Sequence, residues 1–426
     1  MTQNLRALSW LLIILMLAGC RQATTQLQSN EAPGATKKAI RVSTENADAA
    51  EPSIAAAPGG GVYVAWVNHR EGKEADVMLA RFSGDGEMSG PVVRVNPAAG
   101  MATSWRGDPP TLVVGPDNTV FVGWTARAVS ESGHATDVDL SVSHDGGATF
   151  ALPIKINDDV KPVDHGMHSL AVGPDGRVYL AWLDDRNVVA APAKDMKMSG
   201  TTSGHHVESN RELFMASSVD GGRTFTVNQR VATEVCPCCK TAMAVGSDGV
   251  LYLSWRQVLP GDLRHIAVAS SADQAKTFSP PKIVSDDQWV LAGCPVSGPA
   301  LSFASDGELC VAWYSAGKNG ETGLYWAQSG DQGKSFGPRT LIAAGTTRGA
   351  PVLAGEGKSL AAVWESSKTN IPTIMTAQLT NGNSVAEQFA VDGELPAAIQ
   401  TAKRLYIAYI GKSGHSQDIW LTSIPR

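Results

Sequence analysis

The chain has 426 residues, with 35 Lys+Arg against 41 Asp+Glu and a formal charge of −6. An acidic balance without basic runs excludes nucleic acid as the main partner. A composition of 43% hydrophobic and 18% charged residues excludes a disordered chain, and 43 Gly with 23 Pro imply many turns.

Arg6 is the only charge before an apolar run over 7–17. The run is shorter than the roughly 20 residues a spanning helix needs. Its positive flank and the small residues after it predict an export signal over 1–19. The run ends Leu17-Ala18-Gly19-Cys20, which resembles the lipobox of bacterial lipoproteins. The resemblance implies that Cys20 is lipidated and anchors the chain to a membrane; an ordinary signal peptide with a chance cysteine is the alternative. Arg21 in place of Asp implies, by the same resemblance, the outer membrane, facing the periplasm or the cell surface. Residues 20–37 are rich in Gln, Thr, Ala and Ser and are expected to form a flexible tether. The folded domain is expected over 38–426, with no further stretch able to span a membrane.

From there one unit recurs: a short apolar strand, a Gly/Asp turn, and an alternating strand ending in an aromatic. The copies are 54–66, 112–124, 170–182, 243–255, 301–313, 352–364 and 397–409. Gly-Pro-Asp-Gly at 173–176 and Gly-Ser-Asp-Gly at 246–249 are hairpin turns, and Val178-Tyr179-Leu180-Ala181-Trp182 has the period and bulk of a strand. The terminal aromatics are 58, 58, 73, 58, 51 and 45 residues apart, a period that predicts a repeat architecture. A third strand over 213–218 and an outer strand over 225–231 would complete a four-stranded unit.

A second motif follows four of the copies. Ser143-His144-Asp145-Gly146-Gly147-Ala148-Thr149-Phe150 recurs around Asp220, Asp273 and Asp331, with Ala275 for Gly and Ser335 for Thr; Phe82-Ser83-Gly84-Asp85-Gly86 is a worn copy. An Asp in a tight turn accepts hydrogen bonds from nearby N–H groups, and glycine supplies the positive φ. These octets resemble the Asp-box (BNR) repeat of sialidase-like β-propellers, over about 40–426. The resemblance implies an all-β, seven-bladed β-propeller with four-stranded antiparallel blades, and a structural role for Asp145, Asp220, Asp273 and Asp331. Six blades, as in sialidases, is the alternative if one of the last two units is incomplete. The seventh unit has room for three strands, so a strand over 39–43 is expected to close it.

In such a fold the segments leading into each inner strand share one face with the loops after each Trp strand. Aligned on the aromatics, the lead-in segments are Ala50-Glu51-Pro52, Trp105-Arg106-Gly107-Asp108, Asp164-His165-Gly166-Met167-His168, Cys236-Pro237-Cys238-Cys239-Lys240, Cys294-Pro295, Arg348 and Glu394. Cys236-Pro237 and Cys294-Pro295 are 58 residues apart, one unit, and should face each other at the channel mouth. A 15-residue excess after Trp182, with Met196, Met198, His205 and His206, should hang over the same mouth. Cys236, Cys238, Cys239, Cys294, His165 and His168 are thus candidate ligands for copper or zinc. The competing reading is one or two disulfides, as suits an exported chain, with a vicinal 238–239 bridge the least favourable; unpaired thiols are a third. Cys310 replaces a strand Tyr and is expected in the core.

The resemblance also raises an exo-sialidase-type glycoside hydrolase. That chemistry grips a carboxylate with three arginines, but where the family carries the first of them this chain has Ala50, followed by Glu51. Arg106, Asp108, Arg348, Tyr314 and Tyr325 are the remaining catalytic candidates. The sequence thus yields three functions: binding of a ligand or metal at a Cys/His-lined mouth, glycoside hydrolysis, and a scaffold for envelope proteins. The expected partners are a membrane through the lipid and a glycan or envelope protein, for a monomer.

Overall fold

The computed structural model describes residues 37–426 except 46, 73, 104, 129–134, 189–208, 305–306, 358–359, 369, 381–382, 385–386, 414–415 and 426. Cys20, the export signal, most of the tether, and Met196, Met198, His205 and His206 lie outside the described residues. What is described is all-β, in sheets that follow one another along the chain and are antiparallel but for the short parallel pairing of Glu356–Gly357 with Ala300–Ala304.

Ala49–Ala56, Val62–His69, Ala75–Phe82 and Val93–Arg94 form the first four-stranded sheet, and Thr111–Val114, Val120–Arg127, Thr136–Ser143 and Ile154–Lys155 the second. An eight-stranded sheet follows. One half runs from His165–Val172 to Gln229–Val235, the other is built on Leu251–Leu259, and the single register pair Val235↔Gln257 joins them. Two five-stranded sheets come next. The last sheet takes Glu394–Gln400, Arg404–Ser413 and Ser416–Pro425 from the C-terminal end and Lys37–Arg41 from the other. The closing strand pairs with Ser416–Pro425 in the register Lys37↔Ser423 and Arg41↔Trp420, two residues earlier than the expected 39–43.

Period-2 alternation explains why the sheets stack. Successive residues of a strand point to opposite faces, and on Val178–Asp184 every side chain is buried. Tyr179, Ala181 and Leu183 pack with Leu251, Leu253 and Trp255 of the following unit; Val178, Leu180 and Trp182 pack with Phe121, Val138 and Leu140 of the preceding one. Among the described residues seven apolar clusters are built this way, each from two units consecutive in the chain or, for one, from the first and last sheets. Trp66, Trp124, Trp182, Trp255, Trp313 and Trp364 are fully buried. A buried indole N–H needs an acceptor, and Trp66, Trp182 and Trp255 find one two residues on, in Asn68, Asp184 and Gln257. Cys310 is buried against Trp326 and Trp364.

The four Asp boxes share one set of bonds. Asp220 accepts from Ser218 Oγ, Arg223 N, Thr224 N and Thr224 Oγ1, while Ser218 Oγ accepts from Gly222 N. The turn reaches further than expected: Thr226 is still paired with Ser217. The outer strand of this unit therefore runs over Gln229–Val235, not 225–231, and the third strand over Arg211–Ser218. Residues 165–168, expected to lead into the inner strand ahead of 170, already belong to the strand His165–Val172. The strand bulges between Gly166 and Ser169, with Met167 at φ 54°. Glu51 (φ 50°) and Gly349 (φ 69°) sit in bulges at the same place, fifteen residues before their tryptophans. A bulge bends its strand and re-aims side chains, and here it turns the lead-in residues toward one another.

Candidate functional site

The lead-in segments and the residues just after the Trp strands meet in a polar network of two clusters, linked through the chain segment that carries Arg106 and Asp108. Asp108 accepts from Lys240 Nζ at 2.7 Å and from Thr125 Oγ1 at 2.6 Å, and lies 3.2 Å from His168 Nδ1. Burial opposes ionisation of Asp108, but the Lys240 ammonium and His168 hold its carboxyl well below the usual range. Arg106 donates to Glu365 Oε2 at 2.7 Å and to Glu394 Oε2 at 3.0 Å. Glu365 is fully buried; burial pushes its carboxyl up, against the Leu395 N–H and Arg106. Arg348 Nε lies 4.0 Å from the same carboxylate.

The cysteines gather beside this network. Cys238 and Cys294 are joined by a disulfide, with Cα atoms 6.0 Å apart. Cys236, Cys238 and Cys239 are all buried, with ligand atoms within 4.8 Å of one another, and the Cys236 and Cys238 sulfurs are 3.8 Å apart. Close approach is possible because Gly298 lies against Lys240, where a Cβ would sit 2.0 Å from the Lys240 carbonyl oxygen. A hydrogen bond from Cys239 draws the Cys236 thiol down to about 6, against burial and with help from Arg264 and Arg256; burial pushes Cys239 well up.

The imidazoles do not join the sulfurs. His165 is buried 3.0 Å from Asp159 and 3.5 Å from Asp184, with Nδ1 2.6 Å from the Thr136 carbonyl oxygen. His168 faces Asp108. The tyrosines are packing groups: Tyr314 meets Trp289 edge-on, and Tyr325 donates to the Glu321 carbonyl oxygen beneath the Arg339 guanidinium. Glu51 is buried and 3.2 Å from His69.

Two residues beside the sulfurs complete the site. Arg256 and Arg264 are 0% and 3% exposed. Arg256 follows a Trp directly, a place the repeat marks; Arg264 carries no sequence signal at all.

No protein-family model and no curated protein matches the chain. Solved structures do. The polysaccharide lyase Uly1 matches with a TM-score of 0.54 at 12% identity, over 96% of this chain and 95% of that one. A PL25 ulvan lyase bound to a GlcA–Rha3S saccharide matches with 0.53 at 12%, over 88% and 93%. A protein of unknown function from Dyadobacter fermentans matches with 0.51 at 14%, over 92% and 99%. Sialidases match more loosely, the NanB sialidase of Streptococcus pneumoniae with 0.48. At such identities the likeness is one of fold, and it makes the sheet stack propeller-like.

Proposed function

We propose that the chain is an exported, lipid-anchored envelope protein, a seven-bladed β-propeller whose mouth binds a thiophilic metal ion, copper or zinc, at Cys236, Cys238 and Cys239. Seven clusters, one between each pair of neighbouring units and one joining the ends, support the blade count. The observation that carries the metal reading is the buried sulfur triad. Thiolates are the donors that copper(I) and zinc favour, and with Cys238 released from Cys294 the triad offers three of them. His165 and His168 would act in this reading as neighbours that shape the polar surroundings.

Loading untagged full-length protein with Cu(I) or Zn²⁺ after reduction of the Cys238–Cys294 disulfide, followed by elemental analysis, tests it; about one ion per chain supports the reading, and none in the reduced or the oxidised protein ends it. For the anchor, a labelled fatty acid should be incorporated into the chain and lost in Cys20→Ser, and the wild type should fractionate with the outer membrane.

A saccharide reading has one observation of its own: Trp105 is 43% exposed beside Arg106, and an exposed aromatic can stack on a sugar ring. Against it, Arg106 is already held by two glutamates. Turnover of a fluorogenic sialoside or an unsaturated product from an acidic polysaccharide, lowered by Arg106→Ala and Arg348→Ala, would establish it. Without turnover, a scaffold role is the remaining alternative to metal binding.

A further inference from the structure

Four sulfurs, not three, belong to one cluster, because Cys238 carries Cys294 with it. Two buried cations adjoin them. Arg256 donates Nε and Nη2 to the Ser297 carbonyl oxygen and Nη2 to that of Tyr314. Arg264 donates Nε to the Leu291 carbonyl oxygen. On both, Nη1 is buried with no hydrogen-bond partner. Among the described residues neither guanidinium has a carboxylate within 4.0 Å. Both charges act on Cys236, and that of Arg256 acts on Cys239. Buried charges are normally paired, so this cluster holds two positive charges in need of an anion.

The backbone ties the groups together. Cys236 N donates to the Arg256 carbonyl oxygen at 2.9 Å, and the Ser297 backbone, whose carbonyl oxygen Arg256 grips, lies beside Cys239. Four thiolates around one divalent ion carry a net charge of −2, which two guanidiniums cancel. One copper(I) ion on the same four would leave −3; on two thiolates it would leave −1. The spacing agrees as well. Metal–sulfur bonds of about 2.3 Å in a tetrahedron place sulfurs about 3.8 Å apart, and Cys236 and Cys238 are 3.8 Å apart.

We infer that Cys236, Cys238, Cys239 and Cys294 form a four-thiolate centre for a divalent thiophilic ion, charge-balanced by Arg256 and Arg264, which the Cys238–Cys294 disulfide closes to that ion. The inference rests on the soft-metal reading above and gives it a redox gate. Opening the gate consumes one external dithiol: its two sulfurs become a disulfide, and Cys238 and Cys294 receive two electrons and two protons. Binding then leaves all four sulfurs coordinated as thiolates to one divalent ion, and each proton still carried by a thiol passes to solvent. In the closed state only Cys236 and Cys239 remain as free thiols of the four.

The test uses the full chain without a tag and Zn²⁺ as the probe. One sample is kept oxidised; the other is reduced with a dithiol and desalted without air. The reduced sample should hold about one zinc per chain, and zinc should shield all four cysteines from alkylation relative to the same reduced protein without zinc. The oxidised sample should bind zinc at least about tenfold more weakly. Co²⁺ in the reduced sample should give the thiolate charge-transfer and intense d–d bands of a tetrahedral sulfur site. Arg264→Met should weaken zinc binding about tenfold or more, and the redox comparison stands on the wild type if that variant fails to fold. Equal zinc binding in both redox states would overturn the gate and leave the soft-metal reading standing. Copper(I) held by the oxidised protein with no zinc in the reduced one would overturn the divalent four-thiolate assignment. No ion of either kind in either state would sink both readings.

Discussion

Asp139 sits on a strand directly across from Trp124, 8% exposed. Burial, and then repulsion from Asp137, push its carboxyl up to about 6, against Lys155. The native value thus lies above the unfolded one, near 4. Below pH 4 the group is neutral in both states and costs nothing. As pH rises through 6 the native carboxylate must ionise in place, so stability falls across that window. Asp139→Asn should therefore stabilise the protein at pH 7.5 by on the order of 2 kcal/mol, and hardly at all at pH 4. Denaturant unfolding at the two pH values measures the difference. Equal effects at both would mean that the carboxylate finds a partner in solution. Asp273 and Asp331 lie in the opposite direction: hydrogen bonds from Thr277 and Ser335 hold them down to about 2, so what these turns contribute is lost only as pH falls below about 4.

The Asp-box turn is the element that lets one unit meet the next. Gly147 and Gly222 adopt φ 78° and 81°, and each faces the preceding sheet: a Cβ on Gly147 would sit 2.7 Å from Leu79 Cδ2, one on Gly222 3.2 Å from Val142 Cγ2. In the third box Ala275 holds the same place at φ 67°. A left-handed conformation costs an L-residue roughly 1–2 kcal/mol. Ala275→Gly should then stabilise the protein by about 1 kcal/mol, while Gly147→Ala should destabilise it by about 2 kcal/mol, strain and contact together. If thermal unfolding moved Ala275→Gly downward, the strain would be carried elsewhere in the turn. These octets, with the Trp strands, made most of the fold legible, because each motif is local and recurs. The outer strand expected over 225–231 lies instead over Gln229–Val235, because the Asp-box turn runs on to Thr226 and the strand has no regular alternation of buried and exposed residues to mark its start. The bulges were missed for a related reason: Glu51 and Met167 are not the glycines or asparagines that announce a positive φ. Alignment on the tryptophans gathered the cysteines of the candidate site, and Cys238–Cys294 joins the two lead-in segments it paired. It could not find Arg264 or Glu365, whose importance comes from being charged and buried, a property of packing that no spacing encodes.

At the scale of the molecule the two ends of the folded chain are joined twice. Lys37–Arg41 pairs with Ser416–Pro425, reinforced by the bond from Ser43 to Asp418. The second joint is Arg106, which reaches across 259 and 288 residues of sequence to Glu365 and Glu394. Contacts of such separation form late and hold the most distant units together. The first joint predicts that removing residues 37–43 exposes an unpaired edge on Ser416–Pro425; limited proteolysis should then cut first in the C-terminal sheet, and unchanged cleavage would show that the sheet stands without its fourth strand. The second joint is electrostatic. Glu365 is fully buried, and without Arg106 it keeps only the Leu395 N–H at 2.9 Å and the distant, 58% exposed Arg348. An uncompensated buried carboxylate is costly, so Arg106→Met should lose about 2 kcal/mol at pH 7.5. Because burial already raises the Glu365 carboxyl, and the loss of Arg106 raises it further, the penalty falls on the ionised form. It should shrink as pH drops toward 5 and the group protonates, whereas loss of a simple packing contact would cost the same at every pH. Pairing Arg106→Met with Glu365→Gln should recover most of the stability and flatten its pH dependence. If instead the losses of the two variants added, Arg106 would be holding the mouth through Glu394 alone.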